Sequence, residues 1–321
     1  MKNKPILIIG GEPFSIFLEI YFKAMKLKRF KKPIILIVSK NLLLKQMKFL
    51  NYNFKVNLID KKNIQFKKIN NKTINIIDIN FNFKRPFDKI SDKSNSYIEK
   101  CFKTGLQLIK KKKFTGIING PISKKNFLKE RYLGVTEYLA DKVNKKNKEA
   151  MLIYNNKLSV SPLTTHLPLK HVYKNITKKK IINQVNLIKK FYKENFNINA
   201  KIGITGLNPH CESNYKSSEE KNIIIPAIKY LKKTTSNISG PFPSDTIFLK
   251  NNLKKFDCII GMYHDQVLAP IKTIYGFNAI NITLGLPFIR VSPDHGPNES
   301  MIGKNKSNPE SLIQALNFLD K

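Results

Sequence analysis

Three histidines follow short apolar segments in matching contexts. They are His166 in TTHLPL, His210 in GLNPH and His264 in YHDQ, and the whole chain has five histidines. Three imidazoles with one open coordination position are typical of a catalytic metal site. A single histidine in such a place is more often structural. The spacing alone therefore leaves metal binding and a structural role equally open for the three.

Two neighbouring residues could contribute to such a site. Asp265 could orient the imidazole of His264 or accept a proton, although it could also cap a helix. Cys211 follows His210 but has no cysteine near it in the sequence. With only Cys101 and Cys258 elsewhere, and no CxxC spacing, neither a disulfide framework nor a cysteine zinc site is indicated.

A later segment is rich in residues that bind anions or shape loops. It reads NITLGLPFIR at 281–290 and continues to an Asp-His-Gly turn at 294–296. Arg290 could pair bidentately with a carboxylate or a phosphate, and Lys272 could supply a point charge. In a chain with 58 basic residues, the competing interpretation of either one is a solvated surface group.

The elements that must position these residues alternate between strand and helix. Apolar runs predict strands, and helical spacing of apolar residues predicts helices that begin near residue 15 and cover 97–112, 181–192 and 223–231. This alternation predicts an α/β fold with a mainly parallel sheet, in which ligands bind at the carboxyl ends of strands. The polar stretch 61–95 is expected to be a surface meander with short strands. The predicted strands are 5–9, 34–38, 56–59, 114–118, 200–204 and 256–262.

Composition limits the class of protein. A chain of 321 residues suits two domains, and no apolar run approaches the length of a membrane span. With no signal-peptide pattern at the start, a cytoplasmic location and no membrane partner are expected. There is neither a GxGxxG nor a GxxxxGK[ST] motif, so the residues themselves do not indicate a Rossmann or P-loop nucleotide site.

The formal net charge of +36 suggests two interpretations. One is binding to nucleic acid or an anionic membrane. The other is a compositional bias towards Lys, Asn and Ile along the whole chain. Because the lysines are spread throughout and form no recognisable nucleic-acid motif, the second is favoured, and no specific nucleic-acid partner is expected.

Several motifs, in order along nearly the whole chain, resemble the 4-hydroxythreonine-4-phosphate dehydrogenase family. They are GEP at 11–13, GPISK at 120–124, TEYLA at 136–140, TTHLPL, GLNPH, GPFPSDT at 240–246, YHDQ, and NITLGLPFIR followed by DHG. So many collinear motifs make the resemblance highly specific.

The resemblance implies a two-domain α/β/α fold like that of isocitrate and isopropylmalate dehydrogenases, with the active site in the interdomain cleft. It implies a first domain of residues 1–120 plus 275–321 and a second of 121–274. It also implies a homodimer with a divalent metal, zinc, magnesium or cobalt, at the subunit interface, and NAD or NADP as the oxidant. The implied metal ligands are His166, His210 and His264, the implied substrate-binding residues are Thr136, Lys272, Asn281 and Arg290, and Asp265 is a candidate for proton transfer.

The implied activity is oxidation of 4-phosphohydroxy-L-threonine and decarboxylation to 3-amino-2-oxopropyl phosphate, in pyridoxine 5'-phosphate biosynthesis. The sequence departs from the family pattern at Val135, where a substrate-binding histidine is usual, because valine cannot form a hydrogen bond. Two alternatives follow from this departure and from the charge. One is a paralogous dehydrogenase of a phosphorylated threonate or erythronate, and the other is a basic, nucleic-acid-associating protein without activity.

Overall fold

A computed structural model describes residues 4–129, 131–211, 217–276, 278–293 and 296–321. The strands are β1 Ile6–Ile9, β2 Ile34–Val38, β3 Val56–Leu58, β4 Ile74–Asp78, β5 Ile117–Asn119, β6 Ala150–Tyr154, β7 Ser159–Pro162, β8 Ile202–Thr205, β9 Ile238–Phe242, β10 Cys258–Gly261, β11 Ile280–Leu284 and β12 Arg290–Pro293. The helices are α1 Phe17–Leu27, α2 Lys40–Phe49, α3 Asn95–Ile109, α4 Val135–Lys142, α5 Val172–Asn175, α6 Lys178–Phe196, α7 Ile225–Lys232, α8 Ser244–Ile247, α9 Lys250–Leu253, α10 His264–Tyr275 and α11 Glu310–Asp320.

The chain divides into two compact units. The first comprises Met1–Val135 and Phe288–Lys321, and the second comprises Thr136–Pro287. The domain boundaries predicted from the sequence, 120/121 and 274/275, both lie earlier in the chain than the boundaries between these units, and they stay a prediction. An active site in an interdomain cleft also stays a prediction. The α/β class is confirmed, since both units combine strands with helices.

The first unit has parallel strands in the order β3-β4-β2-β1-β5-β12. The residues of β1 are apolar and fully buried, as expected for a parallel strand that is covered on both faces. The stretch 61–95, expected to be a surface meander, contains β4, a largely buried strand between β2 and β3. The strand was not distinguished in the sequence because its run of isoleucines is short, is interrupted by Asn75 and lies among polar residues.

The second unit has the strand order β11-β6-β7-β10-β8-β9. Strands β7, β10, β8 and β9 pair in parallel, whereas β6 runs antiparallel to both β7 and β11. Its core packs α10 against the sheet through side chains such as Val267, Leu268 and Ile271, which contact Val160 and Ile259 in one buried cluster. Helix α10 is thereby fixed on the strands whose ends carry the histidines.

Among the helices in the described ranges, none has both the length and the apolar character that a membrane crossing requires.

The turn after β1 depends on a close approach between two backbone segments. Gly11 has φ of 74°, and a Cβ atom there would lie 2.4 Å from the carbonyl oxygen of Pro121. The same carbonyl accepts a hydrogen bond from the amide of Glu12 at 2.8 Å. Glycine at position 11 therefore permits the contact between this turn and the segment after β5.

We expect Gly11→Ala to lower the free energy of unfolding by about 2–4 kcal/mol, because it adds a backbone clash to the cost of a left-handed conformation. Gly276→Ala is the matched control, since Gly276 also has positive φ, of 56°, but a Cβ atom there would have no other atom within 4 Å. That variant should lose only about 1 kcal/mol. Urea unfolding of both variants measures the difference, and equal losses would contradict a role for the close approach.

Glu12 is a buried carboxyl group in the same turn. Its side chain is 2% exposed, and its Oε2 atom has no hydrogen-bond partner in the described chain. Burial raises its pKa from 4.5 to about 7, although a hydrogen bond from the amide of Phe14 opposes the rise. The unfolded chain therefore loses this proton at a lower pH than the folded chain does.

As the pH rises from about 4.5 to about 7, the fold should lose up to about 3 kcal/mol from this one group. Glu12→Gln removes the titration, so the variant should gain stability relative to the natural chain across that window and keep the gain at higher pH. Urea unfolding at about pH 5 and about pH 8 measures the gain. A stability difference that does not change with pH would be inconsistent with a buried, titrating Glu12.

Candidate functional site

The three singled-out histidines follow three neighbouring strands of the second unit. His166 comes after β7, His264 after β10 and His210 after β8. These strands are adjacent in the order β7-β10-β8 and parallel to one another. Their carboxyl ends therefore meet at one edge of the sheet, where ligands bind in open α/β folds.

Two of the histidines are close neighbours. The ring centroids of His166 and His264 lie 5.8 Å apart, with an angle of 37° between the ring planes. His264 Nδ1 lies 3.0 Å from Oδ1 of Asp265, which is 79% exposed. This carboxylate can fix the ring orientation and leave Nε2 available to a ligand, an arrangement common among metal-binding histidines.

His210 is not brought into a metal-binding group with the other two. Within the described ranges, no three His, Cys, Asp or Glu side chains are grouped so that they could hold an ion. His210 has φ of 57° and Cys211 has φ of 60°. Two successive non-glycine residues in the left-handed region cost free energy, and such a conformation persists only where the surroundings impose it.

Glu220 holds the loop that carries His210. Its Oε1 atom accepts the amide hydrogens of Leu207 at 2.7 Å and Asn208 at 2.9 Å, and Oε2 accepts the side-chain amide of Asn208 at 2.8 Å. Burial acts to raise its pKa, but these hydrogen bonds outweigh burial and leave the pKa below the usual value. The carboxylate therefore stays ionised and binds the loop as an anion.

Gly206 begins this loop and must be small. A Cβ atom there would lie 2.7 Å from Sγ of Cys211 and 3.0 Å from Oε1 of Glu220. The loop thus folds back closely on its own strand end.

Gln266 joins the loops of His264 and His210. Its Oε1 atom accepts the amide of Met262 at 2.6 Å and the hydroxyl of Thr205 at 2.9 Å, and its Nε2 atom donates to the carbonyl of Gly206 at 2.8 Å. Thr164 donates its hydroxyl and its amide to the carbonyl of Met262, at 2.8 and 3.2 Å. One buried network therefore connects the ends of β7, β8 and β10.

Two of the substrate-binding residues that the sequence resemblance implies, Thr136 and Asn281, lie on α4 and β11. The hydroxyl oxygens of Thr136 and Thr283 are 3.3 Å apart, which links α4 to β11. Asn281 lies on the same face of β11 as Thr283, because side chains alternate along a strand. Its Oδ1 atom is buried and has no hydrogen-bond partner in the described chain.

Lys272 lies on a different element from Thr136 and Asn281. It is exposed and lies on α10, about 12 Å along the helix axis from His264.

Arg290 belongs to the first unit. It begins β12, is 2% exposed, and its Nε atom donates to Oδ1 of Asn119 at 2.7 Å. The interpretation of Arg290 as a solvated surface group is therefore excluded, because its guanidinium is buried and hydrogen-bonded. Asp294 and His295, of the predicted Asp-His-Gly turn, lie outside the described residues.

The sequence interpretation missed the residues that hold the histidine loops in place. Each of them has a buried polar side chain and lies at a strand end or at the start of a helix. They are Thr164, Thr205, Glu220 and Gln266. A polar residue inside or beside an apolar run is the signal that could have indicated them, since a buried polar group needs a partner. Its partner, however, is distant in the sequence and cannot be identified from spacing.

The chain is similar to known proteins along nearly its whole length. The model of the family described as pyridoxal phosphate biosynthetic protein PdxA matches residues 29–319. A 4-hydroxythreonine-4-phosphate dehydrogenase from Sulfurihydrogenibium sp. (strain YO3AOP1) is 40% identical over 97% of this chain and 96% of its own. One from Aquifex aeolicus (strain VF5) is 33% identical over 99% and 98%. The crystal structure of a 4-hydroxythreonine-4-phosphate dehydrogenase from Burkholderia phymatum covers 99% of this chain and 98% of its own, with 25% identity and a TM-score of 0.80.

Gln266→Leu keeps the approximate size of the side chain but removes all three hydrogen bonds. We expect a loss of about 2–4 kcal/mol in the free energy of unfolding, and changed NMR signals of the imidazoles of His166 and His264, because their strand ends lose a common partner. The control is Gln46→Leu in the first unit, where a fully buried amide donates to the carbonyls of Pro13 and Pro86. It should lose stability without changing those signals. Unchanged imidazole signals in the folded Gln266 variant would contradict a positioning role.

Proposed function

The chain belongs to the pyridoxal phosphate biosynthetic protein PdxA family, and on that premise we propose that it is a 4-hydroxythreonine-4-phosphate dehydrogenase. It would oxidise the hydroxyl-bearing carbon of 4-phosphohydroxy-L-threonine with NAD or NADP. The β-keto acid that forms would lose carbon dioxide to give 3-amino-2-oxopropyl phosphate. The observation that carries the proposal is the pair His166 and His264 at the shared strand edge, together with the match over nearly the whole chain.

The donor set suits a divalent metal. A ring centre lies about 3 Å from an ion that its nitrogen binds at about 2.0 Å, so two rings that share one ion lie within about 6.5 Å of each other. The observed 5.8 Å between the rings of His166 and His264 meets this condition. His210 follows the adjacent strand β8 but is not grouped with the other two within the described chain, and we propose it as the third ligand because it matches a metal-binding histidine of the family.

Once bound, zinc, cobalt or magnesium would act as a Lewis acid at the substrate hydroxyl, and NAD(P)+ would accept the hydride. The protein's own residues would bind and orient the substrate. Thr136 and Asn281 offer hydrogen bonds beside the histidine loops, and Arg290 and Lys272 offer positive charge to the carboxylate and the phosphate. Asp265 orients His264 and, being largely exposed, could pass a proton to solvent.

The remaining proposals rest on the family. We infer a homodimer with the metal site at the subunit interface, which would allow a ligand set to be completed across two chains. We also infer a cytoplasmic enzyme whose ligand is a small phosphorylated molecule.

One observation favours a second candidate substrate. Val135 stands at the start of α4, directly before Thr136, where a histidine is usual in the family. Valine cannot form the hydrogen bond that this histidine would make with the substrate. A phosphorylated threonate or erythronate is therefore the alternative substrate.

His210→Ala should abolish turnover and lower the amount of metal retained after purification, because one of three protein ligands is lost. The assay is the formation of NADH or NADPH from 4-phosphohydroxy-L-threonine after chelation, with and without added divalent metal. Bound metal is measured separately by elemental analysis. His171→Ala is the matched control, since His171 is exposed and has no proposed role.

Full turnover by the chelated natural protein would refute the metal site. Metal-dependent turnover with a phosphorylated threonate or erythronate, and none with the amino acid substrate, would select the second candidate.

A further inference from the structure

One buried carboxylate of the second unit uses its hydrogen bonds on a single loop. Glu220 begins the helical segment Glu220–Ile224, which leads into α7, and its side chain is buried. The chain has 58 lysine and arginine residues, yet within the described ranges none of them forms a salt bridge with Glu220. A buried carboxylate without a cationic partner requires other donors. Here they are the backbone amides of Leu207 and Asn208 and the side-chain amide of Asn208.

These hydrogen bonds hold the start of a strained turn. His210 and Cys211 both have a left-handed backbone, with φ of 57° and 60°, and the amide of Cys211 donates to the carbonyl of Asn208 at 3.2 Å. The turn therefore runs from Asn208 to Cys211. Such a conformation persists only where the surroundings impose it. Because Glu220 binds both the backbone and the side chain of Asn208, it fixes the residue at which the turn begins.

The first residue of the loop is held by other elements. The amide of Gly206 donates to the carbonyl of Phe242 at 3.0 Å, and the carbonyl of Gly206 accepts the side-chain amide of Gln266 at 2.8 Å. Glu220 holds the next two residues. The backbone that leads towards His210 is thus held at three successive residues, and one carboxylate accounts for two of them.

We propose that Glu220 is a positioning residue for His210, and that it maintains the affinity of the protein for a divalent metal without contacting the ion. This assignment rests on the proposed function, in which His210 is a metal ligand. Both carboxylate oxygens of Glu220 already accept hydrogen bonds from the loop. The carboxylate therefore acts on the ion only through the loop. The loss of a group that orients a metal ligand typically lowers metal affinity by about 10- to 100-fold.

The test measures the affinity of the full chain for zinc, by competition with a chelating fluorescent indicator. Glu220→Leu keeps the approximate size of the side chain and removes every acceptor. It should weaken zinc binding by about 10- to 100-fold. Glu220→Gln keeps one oxygen that can accept both backbone amides but removes the charge. It should weaken zinc binding by only about 3- to 10-fold, because a neutral acceptor forms weaker hydrogen bonds than an anion does.

A second readout distinguishes positioning from a general loss of stability. In the metal-free protein, amide hydrogen exchange at Leu207 and Asn208 should be faster in Glu220→Leu than in the natural chain, since both amides lose their acceptor. The NMR signal of the His210 imidazole should change in the same variant. The signal of His171, which is exposed and has no proposed role, should stay the same.

Two control variants match this comparison. Glu219→Gln changes the neighbouring carboxylate, whose hydrogen bond to the loop in the described chain is to the side-chain amide of Asn208, at 3.0 Å. It should change zinc affinity by less than about 3-fold. Gln46→Leu lowers stability in the first unit and should leave zinc affinity unchanged. If thermal unfolding shows that Glu220→Leu is not folded, Glu220→Gln must weaken zinc binding by more than Glu219→Gln does.

Two results would overturn the assignment, and they differ in what else they imply. If His210→Ala weakens zinc binding but folded Glu220→Leu binds zinc as tightly as the natural protein, then only the role of Glu220 is wrong. If His210→Ala binds zinc with unchanged affinity, or the natural protein keeps full turnover after chelation, then the proposed metal site fails and the assignment fails with it.

Discussion

The candidate site depends on the hydrogen bonds of one buried group, the side-chain amide of Gln266. The amide oxygen accepts hydrogen bonds from the backbone at the end of β10 and from the hydroxyl of Thr205. The amide nitrogen donates a hydrogen bond to the carbonyl that follows β8. Because the donor and the acceptor of the amide have fixed relative positions, these hydrogen bonds fix the distance between the ends of β10 and β8. Thr164 extends the same link to β7 through the carbonyl of Met262. Side chains that must approach one ligand are thus positioned by hydrogen bonds buried beneath them.

The sequence predicted the parts of this arrangement that local patterns determine. Histidines after apolar runs indicated strand ends, and the observed strands β7, β8 and β10 lie next to one another. Strands β1, β2 and β3 lie within a residue of their predicted bounds, since continuous apolar runs are distinctive. The antiparallel strands β6 and β11 were not predicted from the pattern. Their residues alternate weakly, and their pairing joins segments more than a hundred residues apart.

Arg290 illustrates the other limit of sequence interpretation. Its type suggests a group that binds anions, and a basic composition suggests a surface group. Its burial on β12 and its hydrogen bond to Asn119 are set by a partner 171 residues away. A buried guanidinium keeps its charge, so it must be paired, and burial strengthens its attraction for any anion that reaches it. Position in the fold, and not residue type, therefore separates this arginine from the many basic residues at the surface.

The same distinction applies to charge as a whole. A net charge of +36 favours the approach of any anion, including a phosphorylated metabolite, but salt screens this attraction and it does not distinguish one anion from another. Recognition requires a fixed group of defined sign at short range. The buried guanidinium of Arg290, held by Asn119, is such a group in the first unit.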